Sequence, residues 1–169
     1  ELKLMVDEFS SFARMPASNP SPNDLNGIVG EIAAFYKSGH RAVSFEVDLD
    51  GNLPVVEIDA DQIKRALINL VDNAIAAVEQ GGVVRIETRY IEELHLARLE
   101  VIDNGLGVPD EAKQRLFEPY FSTKKTGTGL GLAIVNNIIA DHNGYIRVKD
   151  NQPRGTRFII ELPVKAVNI

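Results

Sequence analysis

The sequence predicts an α/β layer structure with one mostly antiparallel sheet covered by helices. Two observations carry that expectation. Apolar residues recur at the 3–4 spacing of helices in some segments and alternate at the period of two of strands in others. The chain of 169 residues, 44% hydrophobic and 25% charged, suits one domain, which at that size buries roughly two thirds of its unfolded surface.

Taken in order, Leu2, Met5, Phe9 and Phe12 follow a 3-4-3 stripe like the seam of a helical bundle. No capping residue precedes it, so residues 1–16 read as the end of a helix that continues upstream in a longer parent; a surface helix packed on its own domain is the alternative. Residues 17–23 read as a linker, and 24–169 as the domain proper. Asp24 is placed to cap a helix to about Ser38, on which Leu25, Ile28, Val29, Ile32 and Phe35 share a face. Short strands are expected at Val43 to Val47 and Val55 to Ile58, joined by a turn at Asp50-Gly-Asn. The strongest helix runs from Asp61 to Glu79 and stops at Gly81 and Gly82. Strands at Val83 to Tyr90 and Leu96 to Asp103 follow, then a loop-rich stretch from Asn104 to Thr128, long enough to be a functional lid. A helix from Leu130 to His142 and strands at Tyr145 to Lys149 and Thr156 to Leu162 complete the order.

Composition narrows function. A formal charge of -6 and a pI near 5.1 argue against a general nucleic-acid surface. There is no cysteine, which excludes disulfides and thiolate metal sites. Without a long apolar run or a signal-peptide pattern, the chain is expected to be cytoplasmic and to make no direct membrane contact, although its parent can be membrane-anchored.

Three clusters point to chemistry. Asn69 and Asn73 lie four apart on an otherwise apolar helix, where asparagine is a poor helix former. Either Asn73 offers its amide oxygen to Mg²⁺, with phosphate oxygens and water filling the shell, or the pair fixes helix packing. In Ala97-Arg-Leu-Glu-Val-Ile-Asp103 the alternation brings Asp103 to the core face with Leu99 and Val101. There a carboxylate can accept from an exocyclic amine such as that of adenine, with Gly105 and Gly107 letting backbone approach a flat ligand; the alternative is a plain Asp-Asn-Gly turn. Gly127, Thr128, Gly129, Leu130 and Gly131 open an apolar helix just after Lys124 and Lys125, a place where free N–H groups favour phosphate. A hinge with a solvated lysine pair is the alternative there. Phe117 and Phe121 are spaced to anchor a lid on one face.

Taken together, the order of these clusters resembles the histidine-kinase-type ATPases of the Bergerat (GHKL) fold. Asn69-Leu-Val-Asp-Asn-Ala74 is similar to the N box, Asp103-Asn-Gly-Leu-Gly107 to the G1 box, Phe117-Glu-Pro-Tyr-Phe121 to the F box and Gly127-Thr-Gly-Leu-Gly131 to the G2 box. The resemblance implies the catalytic ATP-binding domain of a sensor histidine kinase, an α/β two-layer sandwich of a mixed, mostly antiparallel five-stranded sheet packed against helices. It implies ATP or ADP and Mg²⁺ as ligands, with Asn73 on the metal and Asp103 on the adenine amine. Gly105, Gly107, Gly127, Thr128, Gly129, Leu130 and Gly131 would surround the nucleotide, Lys124 or Lys125 would reach the phosphates, and Thr156 would support the adenine pocket. Catalysis is implied for Asn69, Asn73 and Lys124. Asp7-Glu-Phe-Ser-Ser-Phe-Ala-Arg14 and Phe121-Ser-Thr-Lys124 look most like nitrogen-regulation sensor kinases of the NtrY type. Ala76 and Ala77 depart from the lysine and aromatic that many sensor kinases carry there.

Hydrolysing relatives place a glutamate where Asn69 stands, and an amide cannot take a proton from water, so transfer to a protein acceptor is favoured over hydrolysis. None of His40, His95 and His142 has the flanking residues of the family's acceptor helix. The implied partners are therefore a dimerisation and phosphotransfer domain absent from this chain, a response-regulator receiver domain, and a second copy of the parent in a homodimer. A nucleotide-sensing module without catalysis and a hydrolytic GHKL ATPase are the alternatives.

Overall fold

The structure, a computed structural model, describes residues 2–13, 15–40, 42–121 and 129–165. Its elements are α1 (Leu2–Ala13), β1 (Ser21–Asn23), α2 (Leu25–Gly39), β2 (Ser44–Asp48), β3 (Val56–Ile58), α3 (Ala60–Ala77), β4 (Val83–Ile91), a 3-10 turn (Glu92–Leu94), β5 (Leu96–Asp103), α4 (Asp110–Lys113), α5 (Gly131–Asp141), β6 (Tyr145–Asp150) and β7 (Thr156–Pro163). A five-stranded sheet has the order β2-β4-β5-β7-β6. Its β2–β4 pair is parallel and the other pairs antiparallel, the mixed sheet that the family resemblance implies.

Strand alternation explains why one face of this sheet takes helices. Val84, Ile86 and Thr88 of β4, Leu99 and Val101 of β5, and Phe158, Ile160 and Leu162 of β7 are buried on the side that meets α2, α3 and α5. On α3, Ile63, Ala66, Leu67, Leu70, Val71 and Ala74 form the matching buried stripe. Each large side chain hidden this way contributes about 1.5–3 kcal/mol. The helix begins where the Asp59 carboxylate accepts from Gln62 N at 3.2 Å. It ends at Val78, whose backbone turns extended.

The opposite face is a lattice of ion pairs. Arg85 meets Glu46, Asp48 and Glu87, Arg157 meets Glu87 and Glu100, and Glu161 joins Arg98 to Arg147. No helix among the described residues is long and apolar enough to cross a membrane.

The structure departs from the sequence reading at several points. The strands expected on either side of Asp50 do not pair with each other: β2 joins the main sheet, whereas β3 pairs with β1 in a separate two-stranded sheet. Residues 21–23, read as linker, are thus an edge strand. Asp24 stands at the start of α2 but makes no side-chain capping bond; its carboxylate lies over Gly27, where an added Cβ would be 3.2 Å away.

The connector before β1 is bonded down as well. Ser18 N donates to Asp141 Oδ2 at 2.6 Å, Asn19 N to Asp59 Oδ2 at 2.9 Å, and Gln62 Nε2 to Pro16 O at 3.0 Å. The same corner holds His142, whose Nδ1 bonds Ile138 O at 2.7 Å while Nε2 accepts from Asp59 N at 3.0 Å. A strap therefore crosses the start of α3 and the end of α5. On α1, Leu2 is exposed, and the side chains of Met5, Phe9 and Phe12 lie outside the described residues.

Candidate nucleotide site

Three elements converge on the predicted residues. α3 presents Asn69 and Asn73 one turn apart, both half-buried, and packs along α5. Asn69 Nδ2 donates to Gly131 O, the first residue of α5, at 3.3 Å. The poor helix former is thus rewarded by holding the mouth of α5 against α3. Asn73 stands nearer the C-terminal end of α3, four residues before Ala77.

Asp103 ends β5 with only 2% of its surface exposed. Its Oδ1 accepts from Gly105 N at 2.8 Å, and directly across the β5–β7 ladder stands Thr156, 3% exposed. The loop that follows hugs α3: Leu106 N donates to Ala77 O at 3.1 Å. A Cβ on Gly105 would fall 2.1 Å from that same carbonyl oxygen, so glycine is required. Gly107 adopts φ +77, a left-handed value that glycine reaches without strain. Asn104 extends the sheet by one step, its Oδ1 accepting from Val83 N at 2.8 Å.

At the other edge, Gly129 has φ +73 and its carbonyl accepts from Tyr120 N at 3.0 Å. A Cβ there would lie 2.5 Å from Tyr120 C. Leu130 is fully buried at the mouth of α5 and its carbonyl receives Ile134 N. The N-terminal end of a helix such as α5 suits an anion. Lys124, Lys125, Gly127 and Thr128 lie outside the described residues. Phe117 and Phe121 both pack against the core: Phe117 lies edge-on to Phe158 with ring centres 6.3 Å apart, and Phe121 lies under the Arg115 guanidinium at 4.6 Å.

The structure therefore places Asn69 and Asn73 on the C-terminal half of α3, Asp103, Gly105 and Gly107 at and after the end of β5, Leu130 and Gly131 at the start of α5 and Thr156 at the start of β7. A family model described as histidine kinase-, DNA gyrase B- and HSP90-like ATPase matches residues 58–166. The chain belongs to that family. Among these ATPases it is similar to the nitrogen regulation protein NtrY of Azorhizobium caulinodans, 38% identical over an alignment of 174 positions that covers 98% of this chain and 22% of NtrY. The chain thus spans less than a quarter of that relative's length. The solved catalytic domain of histidine kinase ThkA superposes with a TM-score of 0.78 at 34% identity, covering 86% of this chain and 95% of that one. Full-length ShkA, solved in complex with AMPPNP, gives 0.85 at 26% identity over 99% of this chain and 37% of that one. This histidine kinase-like ATPase therefore has the fold of a kinase catalytic domain.

Sequence reasoning did not single out Asn104 or Asn151, which fix the backbone around Asp103, nor the bond from Asn69 to Gly131. Asn151 falls in Asn151-Gln-Pro-Arg-Gly155, a composition that signals a turn and nothing more.

Proposed function

We propose that this domain binds ATP with Mg²⁺ between α3, the end of β5 and the mouth of α5, and passes the γ-phosphate to a histidine on a dimerisation helix of the parent protein. A response-regulator aspartate would then receive it. The observation that carries the reading is Asn69. It stands one turn before Asn73, where a general base would have to sit to activate water, and it is an amide already bonded to Gly131 O. Neither its chemistry nor its engagement suits it to take a proton.

The donor set fits a hard cation. Asn73 offers an amide oxygen at the edge of the site, and no cluster of three or more acidic, histidine or cysteine side chains gathers among the described residues, so phosphate oxygens and water would complete the shell. Magnesium, when bound, would neutralise charge on the phosphates. Asp103 would accept from the adenine amine, with Thr156 beside it. Gly105 and Gly107 would let the backbone lie close to the base, and Gly129, Leu130 and Gly131 would bring the opening amides of α5 toward the phosphates. Lys124, Lys125, Gly127 and Thr128 belong to the same phosphate side by sequence. What remains for the protein is positioning and electrostatics, the main demands of phosphoryl transfer.

Titration of the chain with ATP tests the metal assignment. Asn73→Ala should abolish the Mg²⁺-dependent part of the affinity while leaving the fold intact, and unchanged titrations with and without Mg²⁺ would refute it. Labelling of a separately supplied dimerisation fragment from γ-labelled ATP tests transfer. Steady release of free phosphate without labelling would instead favour hydrolysis.

A further inference from the structure

The β6–β7 turn reaches back to the end of β5. Asn151 Nδ2 donates to Asp103 O at 3.0 Å and to Arg154 O at 3.2 Å, and Asn151 N donates to Gly155 O at 2.9 Å. One side chain therefore closes its own hairpin and grips the backbone of the residue that carries the buried carboxylate. Gly155 makes the grip possible: at φ +108 it sits so close that a Cβ would fall 1.9 Å from Asp103 O. Thr156, the next residue, is the one paired across from Asp103.

We infer that Asn151 is a positioning residue for nucleotide choice: by holding the Asp103 carbonyl it sets the direction in which the Asp103 carboxylate faces the base. This rests on Asp103 as the acceptor for the adenine amine. Base selectivity depends on direction more than on contact, because a carboxylate turned away from the amine no longer distinguishes adenine from guanine, which presents a carbonyl at that position. The carboxylate is already held from one side by Gly105 N. The Asn151 bond fixes the other end of the same residue, through its main chain. With both in place Asp103 is held at its side chain and at its main chain.

The test is the ratio of ATP to GTP affinity, measured by titration of the 169-residue chain. Asn151→Ala should lower this ratio roughly three- to tenfold, the weight of one lost hydrogen bond, and should speed hydrogen exchange at the Gly105 amide. In an Asp103→Asn background the same substitution should leave the ratio where Asp103→Asn has put it. If Asn151→Ala fails to fold, Asn151→Ser, which retains one donor, takes its place with a smaller expected drop. A purely structural role would lower affinity for both nucleotides alike, leave the ratio unchanged and overturn the inference. So would a further drop in the Asp103→Asn background. If Asp103→Asn alone leaves the ratio unchanged, the adenine reading of Asp103 fails and the role of Asn151 falls with it.

Discussion

Asn69 and Asn73 share a helix face and divide its tasks. The Asn69 amide holds α5, while the Asn73 amide is assigned to the cation. Their truncations should therefore differ in kind. Asn69→Ala removes a half-buried hydrogen bond and should lower unfolding free energy by about 0.5–1.5 kcal/mol in denaturant titration without nucleotide. Asn73→Ala should weaken metal-dependent binding. If Asn69→Ala left stability unchanged, the bond to Gly131 would have no structural weight. The sequence showed that these amides needed a reward, since a buried unpaired amide is costly. It could not show which partner each one has, because Gly131 is distant in sequence and becomes a neighbour only once α5 packs on α3. Asp103 was easier to read, because a carboxylate ending an apolar alternating row is visible from period two alone.

Among the elements, the strap between α1 and β1 has the most testable energetics. Asp59 serves it twice, capping α3 and accepting from Asn19 N. The Asn19 amide is the chief reason its carboxyl lies below the ordinary aspartate range, with burial opposing and the Gln62 amide helping. Asp141 is lowered in the same way by Ser18. A group whose acidity is raised by folding binds protons more weakly in the folded chain. The stability it provides is therefore complete above the ordinary aspartate range and is lost as pH falls through the lower folded values. Asp59→Ala should cost roughly 1–2 kcal/mol near neutrality, as an N-cap loss does. Its difference from the parent chain should shrink as the pH of the melt is taken below about 4. A pH-independent difference would mean that the carboxylate charge is irrelevant to the strap. Here the sequence was least legible: Pro16 to Asn23 reads as a linker because its residues favour turns, and the partners that fasten it come from the distant ends of α3 and α5.

For the molecule as a whole, the sheet separates two environments. Its inner face is apolar and carries the helices and the proposed nucleotide site, whereas its outer face is rich in paired charges. The pairs are unequal in weight. Glu100 has a side chain only 9% exposed and receives Arg157 through both Nε and Nη2, at 3.3 and 3.1 Å. Arg157→Ala would leave that carboxylate buried without its guanidinium and should cost on the order of 1–3 kcal/mol. Arg89→Ala, whose partner Asp48 is solvated, should cost less, as surface pairs do. Equal losses in thermal melts would mean that burial of Glu100 does not matter. The fold class was legible from periodicity because the inner face repeats apolar residues at every second position along β4, β5 and β7, although Ile102 and Ile159 interrupt the polar face. The pairing of β3 with β1 was not, since strands of three residues carry too little pattern to specify a partner.

The fastened connector also changes how far the domain can range. If the strap were loose, the tether from Ala13 to the folded body would run to Ser21, where β1 begins. With Pro16 O bonded to Gln62 and Ser18 N to Asp141, only positions 14 and 15 lie between α1 and the first anchored residue, a reach of roughly 10 Å when fully extended. An acceptor carried on a helix continuous with α1 would then meet the nucleotide site within a small volume, at an effective concentration that rises as the tether shortens. Hydrogen bonds far from any phosphate would thus help to set how often donor and acceptor meet.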